Sequence, residues 1–146
     1  MSGDNQNVDQ QLVEALPRLT PEQVAEVSPK LVRETYKPGG VIIRQGDEPD
    51  RFYIIISGRA EVWHEDLNGH LEIIDTRKAG EYFGETGLLQ DRPRNATVRA
   101  SEDGDVELLA LDHDDFQILI DESKATETHV AQAMIQRLIT LANAQD

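Results

Sequence analysis

The sequence predicts a mainly β domain with flanking helices: an eight-stranded jelly roll set between N-terminal helices and a C-terminal helical segment. Three observations carry that prediction. Between Leu31 and Asp112 the chain breaks into short β-rich runs separated by turn residues every eight to twelve positions, the spacing of a sandwich or barrel. On either side of that region the apolar residues recur at three and four positions, the period of a helix packed on one face. The 146 residues suffice for one buried core, and no internal repeat or low-complexity tract marks a second domain. The organisation expected is an N-terminal helical segment over 1–30, the jelly roll over 31–112 and C-terminal helices over 113–146.

Each element has its own local reason. Residues 1–7 are polar and are expected to fray. Val8, Leu12, Val13 and Leu16 then follow helical spacing until Pro17 ends the run. Thr20-Pro21-Glu22-Gln23 reads as a second helix start, with Thr20 as N-cap, Pro21 at the first position and Gln23 three residues on. That helix should turn Val24 and Val27 inward and stop near Ser28-Pro29. Both helices are expected to pack on the domain, with coupling to a partner as the other reading. Strands follow near Leu31–Tyr36, Val41–Gln45, Arg51–Ser57, Ala60–Glu65, Leu71–Arg77, Ala96–Ala100 and Val106–Asp112, with Tyr82-Phe83 as a brief eighth. Asn68-Gly69 is a hairpin turn, because both residues tolerate positive φ. After Asp112 the helical period returns: Asp112-His113-Asp114-Asp115 opens a short helix burying Phe116, Leu119 and Ile120, and a longer helix spans Thr126 to Gln145.

Charge and composition exclude several functions. Fourteen Lys and Arg against 28 Asp and Glu leave a net charge of −14, which repels nucleic acid and anionic membrane alike. An anionic ligand therefore needs a locally basic site, and the segment from Arg92 to Arg99 holds three arginines and no acid. There is no cysteine, hence no disulfide or thiolate chemistry. No apolar run reaches membrane-spanning length and the first residues lack a signal peptide's pattern, so a cytoplasmic protein is expected. His64 and His70 flank the hairpin turn, with Glu65, Asp66 and Glu72 nearby, but the close His-x-His pair of metal-binding cupin jelly rolls is absent; no metal is expected. No spacing supports a nucleophile–base or paired-carboxylate arrangement, and the chain is not expected to be an enzyme.

The most informative stretch runs from Phe83 to Val98. Gly84 and Gly87 bracket a short turn, Pro93 breaks any helix that follows, and Arg92 and Arg94 precede a β-type run. A glycine-opened turn exposes backbone N–H groups to an anion, and an arginine can add a bidentate pair to a phosphate. Glu85, a pure acceptor when ionised, suits hydroxyls instead. A sugar hydroxyl beside a phosphate satisfies all three.

Phe83-Gly84-Glu85, Leu88-Leu89 and Pro93-Arg94-Asn95-Ala96-Thr97-Val98 resemble the phosphate-binding cassette of the cyclic nucleotide-binding domain family, which includes protein kinase A regulatory subunits, catabolite activator proteins and cyclic-nucleotide-gated channels. An upstream stretch agrees: Gly40-Val41-Ile42-Ile43, Gly46-Asp47, Asp50, Phe52-Tyr53-Ile54-Ile55, Ser57-Gly58 and Ala60-Glu61-Val62, so that the likeness runs from about Leu31 to Ile120. The resemblance implies that Arg94 contacts the cyclic phosphate and Glu85 the ribose 2′-hydroxyl. Phe83, Gly84, Thr86, Asn95 and Ala96 would lie against ribose and phosphate, and the base on an apolar wall of Val62 and Ile74. Arg92 and Arg99 are expected at the surface or behind the residues that touch the ligand. Asn95 stands where the family carries Ala or Ser for cAMP and Thr for cGMP; the missing threonine favours cAMP. Thr86 and Gly87 replace the more usual Leu or Ala and Ala, and are expected to loosen the cassette helix without touching ligand contacts. The implied function is a stand-alone cyclic nucleotide sensor whose C-terminal helices act as hinge and lid, signalling to an effector protein or a second copy. The alternatives are a non-binding jelly-roll scaffold, and a regulatory domain excised from a larger channel, transporter or transcription factor.

Overall fold

The runs that read as continuously apolar in the sequence are the strands buried on both faces. The computed structural model describes residues 3–145, and the side chains of 7–144. Eight strands form two antiparallel four-stranded sheets: β1 (Val32–Tyr36), β8 (Val106–Asp112), β3 (Arg51–Ser57) and β6 (Tyr82–Phe83) in one, and β2 (Val41–Ile43), β7 (Thr97–Ala100), β4 (Arg59–Glu65) and β5 (Leu71–Lys78) in the other. This is the jelly roll that the turn spacing predicts. In the first sheet β3 and β8 are buried almost throughout, with Phe52 opposite Leu111 and Ile54 opposite Leu109. Their outward side chains meet the helices and their inward ones fill the barrel, the condition that demands an uninterrupted apolar run. In β4, buried Ala60, Val62 and His64 alternate with the more exposed Glu61, Trp63 and Glu65, as befits a sheet with one wet face.

Two apolar clusters result. One lies inside the barrel and includes Tyr53, Ile55, Val62, Phe83, Val98 and Leu108. The other lies between the first sheet and the helices and includes Leu12, Leu16, Phe52, Tyr82, Leu111, Phe116 and Val130. Neighbouring residues Tyr82 and Phe83 belong to different clusters, because successive side chains of a strand point to opposite faces. Phe52 lies between Tyr82 and Phe116, with ring centroids at 5.3 and 4.9 Å.

The helical boundaries differ from expectation in two places, for local reasons. Helix α1 (Gly3–Ala15) starts before Val8: once the apolar positions anchor a nucleus, each polar residue ahead of it adds a backbone hydrogen bond, and none of residues 4–7 is Gly or Pro. Met1 and Ser2 lie outside the described residues. Helix α5 (Lys124–Gln145) starts two residues ahead of Thr126, because the Ser123 hydroxyl accepts the Thr126 N–H and donates to the Thr126 hydroxyl at 2.7 Å. Between them α4 (His113–Glu122) is capped by the Asp112 carboxylate, which accepts the Asp115 N–H at 2.9 Å. Helix α2 (Pro21–Val27) has the complete capping box, with Thr20 and Gln23 exchanging backbone-to-side-chain bonds at 2.9 and 3.2 Å, and continues into a 3₁₀ turn at Ser28–Lys30. Thr20→Ala should cost about 1 kcal/mol in urea unfolding, without a change in slope. Strand β2 ends at Ile43, short of Gln45, because the Gln45 N–H leaves the ladder for the Thr97 hydroxyl at 2.9 Å. Strand β7 likewise opens at Thr97, one residue after Ala96.

Candidate functional site

Helix α3 (Glu85–Gln90) is a single short helix between β6 and β7, set by two left-handed residues. Gly84 enters it at φ +93°, and Asp91 leaves it at φ +52°, the one non-glycine residue with positive φ among those described. A Cβ on Gly84 would stand 3.0 Å from the Arg51 carbonyl and 3.4 Å from Arg94 Nη1. Gly84→Ala therefore combines backbone strain with a clash, and should lower thermal stability by more than the ~1–2 kcal/mol of the left-handed conformation alone. Gly87 does not loosen this helix. Pro49, the Arg92 carbonyl and Arg94 lie 3.1–3.4 Å from where its Cβ would be, so glycine permits close packing there.

The cavity beside α3 leaves about 70 Å³ open. All nine residues marked out by the sequence line it: Val62, Ile74, Phe83, Gly84, Glu85, Thr86, Arg94, Asn95 and Ala96. Strands β4 and β5 supply the apolar wall, α3 and the approach to β7 the polar one. The third side is α5, which contributes Arg137, Thr140 and Leu141.

Two charged groups dominate the polar side. Glu85 is 1% exposed, and a carboxylate at that depth requires partners. It has two: Arg137 of α5 pairs with Oε1, and the Thr86 hydroxyl donates to Oε2 at 2.7 Å. Thr86 thus touches the carboxylate itself, contrary to the expectation that its substitution leaves the ligand contacts alone. Arg94 is 6% exposed and donates to the carbonyls of Gly84 and Arg51 at 2.7 Å each, with Asp50 at 3.5 Å. Burial pulls its pKa down, with Asp50 as the main opposing charge. Arg94 therefore ties the two ends of the site together, joining the start of α3 to β3.

The positive charge is not gathered as the run from Arg92 to Arg99 suggested. Arg92 is exposed, and Arg99 lies on the outer face of its sheet, 4.0 Å over the Trp63 ring and 3.7 Å from Glu61. The cations lining the cavity come from three elements: Arg94, Arg77 of β5 and Arg137 of α5. Arg137 also donates to the Tyr82 carbonyl at 2.7 Å and lies 5.0 Å over the Tyr82 ring. The Tyr82 hydroxyl lies 3.1 Å from Nδ1 of His129, so His129 is half-buried and engaged, not the surface residue its spacing implied. Burial pushes the Tyr82 pKa up to about 12, with Glu85 adding to the rise and Arg137 opposing it. The cassette and α5 are thus joined twice, two helical turns apart. The one sequence signal for Arg137 is its isolation, since it is the sole charge between Ala131 and Gln145.

Among the described residues no group of three or more His, Asp or Glu side chains is placed to hold a metal ion, and no helix is long and apolar enough to cross a membrane. His64 and His70 line a separate groove at the tip of the β4–β5 hairpin.

Comparison with known proteins agrees with this geometry. The family model described as the cyclic nucleotide-binding domain matches residues 33–123. A cAMP-dependent protein kinase regulatory subunit of Blastocladiella emersonii is 43% identical over 88 residues, covering 60% of this chain and 22% of its own. A cGMP-dependent protein kinase of Caenorhabditis briggsae is 34% identical over 110 residues, covering 74% of this chain and 14% of its own. The solved Thermus thermophilus catabolite activator protein superposes with a TM-score of 0.69 at 31% identity, covering 87% of this chain and 58% of that one. The chain spans only 22–25% of the length of the first curated relatives. With its model matched across more than half the sequence and its fold shared, the chain belongs to the cyclic nucleotide-binding domain family.

Proposed function

We propose that this domain is a cyclic nucleotide sensor, with cAMP favoured over cGMP, and that α5 is the lid through which it signals. The observation that carries the proposal is the Arg137–Glu85 pair: the carboxylate suited to a ribose hydroxyl is held by a cation from the C-terminal helix. A ligand entering between Arg94, Glu85 and the Val62–Ile74 wall meets α5 directly, through Arg137, Thr140 and Leu141. It biases the helix only by binding its two placements with different affinity. The preference for cAMP rests on Asn95, which lacks a threonine hydroxyl and sits exposed at the rim. The output passes to an effector protein, of which a kinase catalytic subunit is the type suggested by the cAMP-dependent relatives, or to a second copy. The domain would act in the cytoplasm and without catalysis of its own.

The test is parallel calorimetric titration with cAMP and cGMP, joined to hydrogen exchange of α5 with and without saturating ligand. Saturable binding with a change in α5 protection is the expected result. Absence of heat and of thermal shift with either nucleotide would leave a jelly-roll scaffold, held together by the internal pairings of Arg94 and Glu85. Binding without a response in α5 would remove the lid.

A further inference from the structure

Arg77 has no task in the scheme above, yet it occupies an unfavourable place. It points inward from β5 and is 8% exposed, with Asp75 two residues earlier on the same strand. Its Nη1 pairs with Asp75 at 2.8 Å and donates to the Thr76 carbonyl at 2.9 Å. Its Nε is buried with no hydrogen-bond partner. A guanidinium on the inner face of a barrel with one edge unsatisfied is destabilising, unless something near it would be worse placed without it.

The cavity supplies that something. Among the residues lining it, the carboxylates are Asp75 of β5 and Glu85 of α3, and α5 brings one guanidinium, Arg137. Burial tends to raise the Asp75 pKa, but the bond and charge of Arg77, then the Thr76 N–H that Asp75 accepts at 2.9 Å, and last the charge of Arg137, hold it below the usual carboxylate range. Burial lowers the Arg137 pKa; Glu85 opposes the fall and Arg77 adds to it by like-charge repulsion. Arg137 is thus in contact with Glu85, with Asp75 a second and weaker carboxylate lining the same cavity, and Arg77 is paired with Asp75.

We propose that Arg77 is a positioning residue for the lid: by neutralising Asp75 and repelling Arg137, it leaves Glu85 as the carboxylate on which α5 docks. A buried charge pair can select between two arrangements even where it adds little stability. Here the two arrangements are α5 pinned to the cassette, where ligand binding can release it, and α5 pinned to the barrel wall, where ligand at Glu85 cannot. The inference rests on α5 acting as the lid, but it concerns the ligand-free protein.

The experiment asks which carboxylate holds α5, using hydrogen exchange of α5 amides relative to those of β8 in the 146-residue chain without ligand. In the native background Glu85→Gln should raise relative α5 exchange about tenfold, the loss of one charge-assisted pair, and Asp75→Asn should leave it within about twofold. In an Arg77→Met background the order should reverse, with Asp75→Asn the loosening change and Glu85→Gln nearly silent. Arg77→Gln gives the same reversal should the methionine variant not fold, and Arg77→Lys should keep the native order. Arg77 acting only by filling volume predicts no reversal, so Glu85 remaining the sensitive position in both neutral backgrounds overturns the proposal. Indifference of α5 to both carboxylate changes in the native background overturns it too. Neither readout uses nucleotide, so failure of cAMP to bind counts against the sensor and not against this pairing.

Discussion

Arg94→Ala weakens cyclic nucleotide binding by at least ~100-fold while the domain still folds. The proposed phosphate contact is a bidentate, charge-assisted one from a side chain only 6% exposed, and losing two such bonds costs about 3 kcal/mol or more, a factor of at least ~100 in Kd. Alanine also removes the donor that the Gly84 and Arg51 carbonyls share. Unfolding free energy should therefore fall by about 1–3 kcal/mol, less than the stability of an ordinary domain. Arg94→Lys keeps the charge and loses the fork, so it should bind more weakly than the native protein and more tightly than the alanine variant. Calorimetry with cAMP and a thermal melt on each variant separate the two effects. Alanine binding within twofold of the native protein would take Arg94 out of the site.

Phe52→Ala produces the largest loss of stability, about 3–5 kcal/mol, read as a shift in the urea midpoint. The ring is 1% exposed and has an aromatic neighbour on each side, Tyr82 from the cassette approach and Phe116 from α4. Its removal leaves a void between sheet and helices that neither neighbour can fill without leaving its rotamer. The variant should also loosen α4 relative to the barrel interior, where Tyr53 and Phe83 stack separately at 5.1 Å. Equal loosening of both clusters in hydrogen exchange would show that the two cores unfold as one.

Most of the barrel is legible in the sequence because its strands obey simple periods. The uninterrupted Phe52-Tyr53-Ile54-Ile55 run announces burial on both sides, and the Ala60–Glu65 alternation burial on one. Helix capping is equally local, and Thr20 and Asp112 behave as their positions require. What escaped is non-local. Arg137 sits at helical spacing with Met134 and Leu138, where periodicity alone marks a packing position, and nothing in residues 124–145 indicates a carboxylate 52 residues upstream. Arg77 looks like the polar end of a strand until the fold turns it inward beside Asp75. The nine lining residues that the sequence marked out could be chosen because seven belong to one continuous turn and return; two further cations of the lining, Arg77 and Arg137, arrive from strand and helix at distances no spacing rule spans.

Strand β6 consists of two residues, each anchored in a separate core. A longer strand could slide or twist over part of its length and confine the disturbance to one face. Here there is no spare residue to absorb displacement, so any shift of Gly84 is expected to disturb the packing of Phe83 inside the barrel and of Tyr82 among the helices together. The dipeptide thus links the two cores at the entry to α3. On the outer side the Tyr82 hydroxyl meets His129 and the Tyr82 carbonyl accepts from Arg137, so that in the proposed sensor a displacement of Gly84 has a route of two residues to α5.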